Sequence, residues 1–178
     1  MGKFLTSKSR IEQTAIEGIW YTLDNQLYKD DDGTIYLTPR NTLTDGYTTP
    51  QFLTPIVGGR YDHDVRCCVG HDFECYYRKV ITVNLTEFQL KKLRFLHCNK
   101  DNKWVCENIP LELLTIKDTT FRETNKRFMR MLKSVSNMSK MDTFLIGNAV
   151  NLNIGWWLKE PHTLHTDRLY RIDYEQVR

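Results

Sequence analysis

The sequence predicts an α+β domain in which a small N-terminal antiparallel hairpin sheet packs on a three- to four-helix core. Three observations lead there. The chain has 178 residues, 40% apolar and 26% charged, which suits a single packed domain. Between Gly18 and Thr38, short β-branched and aromatic runs flank an Asp-Gly turn, the pattern of a hairpin. Beyond Asp62 the apolar residues recur at three- and four-residue intervals, the period of helices buried along one side.

Taken in order, residues 1–17 read as an arm or short helix, with Ile11, Ala15 and Ile16 at loosely helical spacing. IWYTL, QLYK and TIYLT are the expected strands, with DDDG at 30–33 as the turn. Pro39, Pro50 and Pro55 punctuate a threonine-rich segment through which regular helix cannot run. After Gly58-Gly59, DHDVRCCVGHDFECYYRKVITV reads as a central helix, with Val65, Cys68, Phe73 and Tyr76 on one face and Asp62 or Asp64 as its cap. A second helix is expected from about Thr86 through LKKLRFLH, and WVCENIPLELLTI is expected to be extended. In TTFRETNKRFMRMLKSV, Phe121, Phe128, Met131, Leu132 and Val135 form an apolar stripe. The basic residues of KRFMR and RKV read as solvated faces. Residues 141–158 form the last expected helix, the globular domain spans 18–158, and 159–178 is a polar tail.

Twenty-five Lys and Arg against twenty-two Asp and Glu leave a net charge of +3, too small an excess for a dedicated nucleic-acid binder. No apolar run reaches the length of a membrane span or a signal peptide. The expected location is therefore the cytosol, unless the protein leaves in an assembly. Cys67, Cys68, Cys75, Cys98 and Cys106 are odd in number and lack CxxC spacing, which favours thiols in a reducing compartment over a disulfide framework.

Two clusters carry candidate chemistry. Thr44-Asp45-Gly46, with Thr48 and Pro50, offers a carboxylate, N–H groups and hydroxyls from a rigid turn, equipment for a cation site or for an Asx-type knot that ends the sheet. Adjacent His71 and Asp72 project about 100° apart on a helix, so neither can orient the other. They can serve neighbouring functions: an imidazole that activates water and a carboxylate that holds a hard cation, with a group from another helix orienting the ring. The plainer alternative is a core histidine beside an aspartate paired with Arg66 or another cation. Asp64, Cys68, His71 and Cys75 also share one helical stripe and could supply zinc ligands if His97, Cys98 or Cys106 joined them. His162 and His165 lie in the polar tail, and Trp156-Trp157 could form a carbohydrate- or lipid-facing platform.

Several of these pieces, in order, resemble a family of uncharacterised bacteriophage and prophage proteins. They are Pro39 to Asp45 in TPRNTLTD, then Gly46, Thr48 and Pro50, then His71-Asp72, Asn125 with Phe128, and Ala149-Val150 with Gly155 and Trp156. Asn41, Thr42, Thr48 and Asn125 stand where that family's pattern has Gly, Phe, Ser and Asp, and residues 81–118 look like an insertion. The likeness implies a phage setting, in the host cytoplasm during infection or with the virion, and other virion proteins as partners.

Locally, VRCCVGHDFECYYR resembles the active-site helix of phospholipases A2. That likeness implies His71 as the base and Asn125 as its orienting residue, with calcium held by Asp72 and carbonyls of the Gly58-Gly59 loop. Independently of it, the Asp45 loop and the His71 helix are expected to meet at one cleft, where Asp45 joins Asp72 at the cation. Cys75 and Tyr76 sit one position later than in those enzymes, and their disulfides are missing. Asn in place of Asp accepts the imidazole N–H but supplies no charge; the corresponding change in a serine-protease triad costs about 10⁴-fold in turnover. The leading expectation is a phage-encoded, calcium-dependent ester hydrolase acting on membrane lipid in lysis or penetration of the host. The rivals are a non-catalytic tail or adsorption component and an inhibitor of a host defence protein.

Overall fold

The computed structural model describes residues 2–6, 11–15, 19–46, 65–86, 111–134, 139–151 and 160. Among them the strands are β1 (Lys3–Phe4), β2 (Ile11–Gln13), β3 (Trp20–Thr22), β4 (Gln26–Lys29), β5 (Ile35–Thr38), β6 (Leu43–Thr44), β7 (Lys79–Val83) and β8 (Leu114–Asp118). The α-helices are α1 (Arg66–Tyr77), α2 (Phe121–Ser134) and α3 (Lys140–Asn151). A five-stranded sheet runs in the order β1-β4-β5-β7-β8, and a three-stranded sheet in the order β2-β3-β6. Every strand pair in both sheets is antiparallel.

The β4–β5 hairpin is the most local part of this plan. Leu27 faces Leu37 and Tyr28 faces Tyr36 across it. In its turn the Asp30 N–H donates to the Thr34 carbonyl at 2.8 Å and the Gly33 N–H to the Asp30 carbonyl at 3.1 Å. Gly33 has φ +90°, a conformation that glycine adopts without a Cβ clash. Buried Asp30 also accepts from Arg130 Nε at 2.7 Å, which ties the turn to α2.

The expected small N-terminal hairpin sheet on a helical core is overturned, because strands from the middle of the chain extend the hairpin. Arg78 takes the left-handed conformation (φ 51°) and its N–H caps the Glu74 carbonyl at 2.8 Å, ending α1 at Tyr77. The β-branched run KVITV, expected as helix, is therefore released as β7. It pairs along its whole length with β8, from Lys79↔Asp118 to Val83↔Leu114, and joins the hairpin at Tyr36↔Thr82. The N-terminal segment likewise contributes strands: β1 lies on β4, and β2 on β3. Buried strand edges need backbone partners, and these distant segments supply them.

The helices fill the space against the sheets. The α1 residues Phe73 and Tyr77 join Leu27, Ile35, Leu37, Ile81 and Val83 in one apolar cluster. Cys67 and Cys68 join Phe128, Met131, Leu132, Ile146 and Val150 in a second. Tyr76, expected on the buried face, is 40% exposed. Helices α2 and α3 each begin with a reciprocal cap. The Glu123 N–H donates to Thr120 Oγ1 and the Thr120 N–H to Glu123 Oε2; Ser139 and Asp142 repeat the exchange. No described helix is long and apolar enough to cross a membrane.

Candidate functional site

Helix α1 presents two polar faces that have different neighbours. On one, His71 and Cys75 lie at i and i+4, one turn apart on the same side. The ring of His71 rests on Phe128 of α2, with centroids 4.6 Å apart. The Nε2 of His71 meets Oδ1 of buried Asn125 at 2.9 Å across 54 residues of sequence. Because Oδ1 is an acceptor, Nε2 carries the hydrogen and Nδ1 is the basic nitrogen. Sγ of half-buried Cys75 sits alongside the ring, 3.5 Å from Nε2 and 3.8 Å from Nδ1.

Asp72 approaches the same imidazole. Its Oδ1 lies 3.7 Å from Nδ1, too far for a hydrogen bond and close enough for charge attraction. Its Oδ2 accepts from Thr44 Oγ1 at 2.5 Å, and the Gly46 N–H donates to that same hydroxyl at 3.0 Å. The β6 turn is thereby fastened to α1. Half-buried Asp45 acts on Asp72 through its charge. The His71 side chain is 8% exposed and that of Asp72 21%, so solvent reaches the carboxylate more readily than the ring.

Burial alone would push the imidazole toward its neutral form, but the neighbouring Cys75 and Asp72 side chains outweigh it. The His71 pKa is raised well above the usual histidine value. Burial raises the Asp72 carboxyl as well, opposed by His71 and Thr44 and reinforced by Asp45. The other described thiols are sequestered: Cys67 and Cys68 are buried, Cys68 Sγ contacts the Val65 carbonyl at 3.1 Å, and burial pushes its pKa up.

The second polar face of α1 carries Glu74. Arg127 Nε lies 2.9 Å from both carboxylate oxygens and Nη2 2.5 Å from Oε2, while Thr124 Oγ1 donates to Oε2 at 2.8 Å. Arg127 donates further to Thr119. All four residues are buried. Arg127, expected on a solvated face, is therefore an interior cation, held there because it neutralises Glu74. A small cavity lies on this side, lined by Tyr28, Tyr36, Gly70, Glu74, Arg127 and Met131, and none of the candidate site residues lines it.

The fold thus brings His71, Asn125, Asp72 and Asp45 to one place, and adds Thr44 and Cys75. Thr44 and Cys75 were visible in the sequence, one in the loop cluster and the other on the zinc stripe, without a role at His71. Arg66 Nη1 donates to the Thr6 carbonyl at 2.6 Å, and its guanidinium lies over the Phe4 ring, 4.5 Å from the centroid. Gly58, Gly59, Asp62, Asp64, His97, Cys98, Cys106, Trp156, Trp157, His162 and His165 lie outside the described residues. Among the described residues, no three His, Cys, Asp or Glu side chains are grouped to hold a metal ion. Of the two Asp72 oxygens, Oδ2 accepts the Thr44 hydroxyl and Oδ1 lies 3.7 Å from His71 Nδ1.

No protein-family model, curated protein or solved structure matches the chain.

Proposed function

We propose that the protein hydrolyses acyl esters at a centre built on His71, with Asn125 as the residue that positions the ring. The observation that carries this reading is the 2.9 Å contact between His71 Nε2 and Asn125 Oδ1. It fixes the tautomer from a second helix and leaves Nδ1 to move a proton, the division of labour found where a histidine works between a nucleophile and an orienting group. Asp72 lies near enough to stabilise an imidazolium. The substrate class, membrane-lipid esters in a phage setting, comes from the motif likenesses; no step of the reading passes through calcium.

The test uses p-nitrophenyl butyrate and mixed phospholipid vesicles as probes. The wild-type chain should hydrolyse at least one of them, and His71→Ala should lose about 10²-fold or more of that rate. Asn125→Ala should shift the pH profile as well as lower the rate. Hydrolysis of neither probe, or an equal rate from His71→Ala, would overturn the reading. Calcium added during thermal melting supplies a separate arm, since an ion bound only to the folded chain raises the midpoint.

A second reading, a non-catalytic component of a virion, draws on Met141 and Phe144 of α3, which are 62% and 61% exposed. Apolar side chains presented in this way suit a protein contact. Mass spectrometry of purified particles should then find the chain at fixed copy number, and its absence would count against that role.

A further inference from the structure

We infer that Cys75 is the nucleophile of this centre, forming a covalent acyl intermediate with His71 as its proton partner. The inference deepens the His71-centred reading and rests on it. Its ground is the juxtaposition of three side chains: Sγ of half-buried Cys75 within 3.8 Å of both ring nitrogens of His71, and that ring held in turn by Asn125. A nucleophile, a base within reach and a third group that orients the base make up the geometric signature of nucleophilic catalysis. The i, i+4 spacing on α1 holds sulfur and ring in fixed relation without requiring a loop to close. Cys67 and Cys68, on the same helix, are buried.

Asp72 favours the same assignment. A carboxylate 3.7 Å from Nδ1 stabilises the imidazolium, and an imidazolium cannot take a proton from water. It can stand beside a thiolate, which is the reactive form of cysteine. In the first half-reaction the thiolate attacks the ester carbonyl carbon; the S–C bond forms, the C–O bond breaks, and the departing alkoxide takes the Nδ1 proton and leaves as the alcohol. In the second half, water adds to the thioester and gives a proton to Nδ1. The S–C bond then breaks, releasing the carboxylic acid and restoring the thiolate and imidazolium. The sum is one ester and one water converted to one acid and one alcohol.

The experiment is alkylation of the full chain by iodoacetamide, followed residue by residue by mass spectrometry across the neutral pH range, together with hydrolysis of p-nitrophenyl butyrate. An ordinary thiol with pKa about 8.5 is only about 1% thiolate near pH 6.5. Cys75 paired with His71 should therefore alkylate there at least about 10-fold faster in the wild type than in His71→Gln. Asn125→Ala, a second variant in case His71→Gln misfolds, should also slow it. Cys75→Ala should abolish hydrolysis. Alkylation of Cys75 that follows an ordinary thiol titration in all three proteins would overturn the inference. Hydrolysis retained by Cys75→Ala and lost by His71→Gln would also overturn it, leaving the His71 reading intact with water as the nucleophile. His71-dependent alkylation without ester hydrolysis would instead sustain the thiol–imidazole pair and remove the ester reading.

Discussion

Helix α1 carries two buried polar groups on neighbouring faces, and they are built differently. Glu74 is held by a guanidinium, a threonine hydroxyl and, through Arg127, a further hydroxyl, all of them buried. His71 has one close partner, Asn125, and around it a thiol and a carboxylate at longer range that solvent partly reaches. The first group has both carboxylate oxygens engaged by buried donors. The second holds its ring in place and leaves one nitrogen free to exchange a proton. The polar network closed on itself serves the fold, and the incompletely closed one is where chemistry can occur.

Five variants would break or sharpen that contrast. Arg127→Ala strands a buried carboxylate, so it should cost about 3–5 kcal/mol in urea unfolding. Replacing both partners, Glu74→Leu with Arg127→Met, should recover most of that loss, since an apolar pair of similar volume avoids the desolvation penalty. If Arg127→Ala proves harmless, the Glu74 side is not structural. Thr44→Val removes the hydroxyl that serves Asp72 and the Gly46 N–H, and should cost about 1.5–3 kcal/mol by the same measurement.

The fourth variant, His71→Gln, is read against pH. The folded-state pKa of His71 lies above its unfolded value of about 6.5. Its contribution is thus complete below that pH and is lost as pH rises through the folded value. The stability gap between wild type and His71→Gln, read from denaturant midpoints, should narrow from slightly acid to alkaline pH; a gap that widens would contradict the assigned sign. Asp72 and Glu74, whose carboxyls are also raised by burial, bias the folded chain the same way, toward lower pH. The smallest effect on stability is expected of Cys75→Ser: a half-buried side chain of near-equal volume should shift stability by no more than about 0.5 kcal/mol. A large loss of stability there would place Cys75 with Glu74 among the residues that serve the fold.

What could be read from the sequence follows from the range of the interactions. The β4–β5 hairpin and its turn are written within thirteen residues, and alternation with Asp-Gly chemistry reveals them. The reciprocal cap and apolar stripe of α2 are equally local. The two- and three-residue strands β1 and β2 are too short to carry a period, and only their distant partners make them strands. At β7 the β-branched residues of KVITV are plain, but no glycine or proline separates them from the helical run HDFECYYR just before them. The break is made by a left-handed arginine, which no local rule announces. At the site, His71 and Asn125 could be paired only through resemblance to a known motif. Cys75 shares the helical stripe of His71, where the sequence alone suggests a zinc ligand. The burial of Arg127 was hidden because a basic residue in a basic run reads as solvated until its carboxylate, 53 residues away, is placed.

The central claim is that Asn125 holds the His71 ring with its Nε2 hydrogen, leaving Nδ1 to take and release the proton. Nitrogen NMR of the ring through a pH titration tests this most directly. The account predicts an Nε2–H tautomer, protonation at Nδ1 with a midpoint above about 6.5, and a change in both on Asn125→Ala. An Nδ1–H tautomer, or a midpoint at or below that value which Asn125→Ala leaves unmoved, would contradict it.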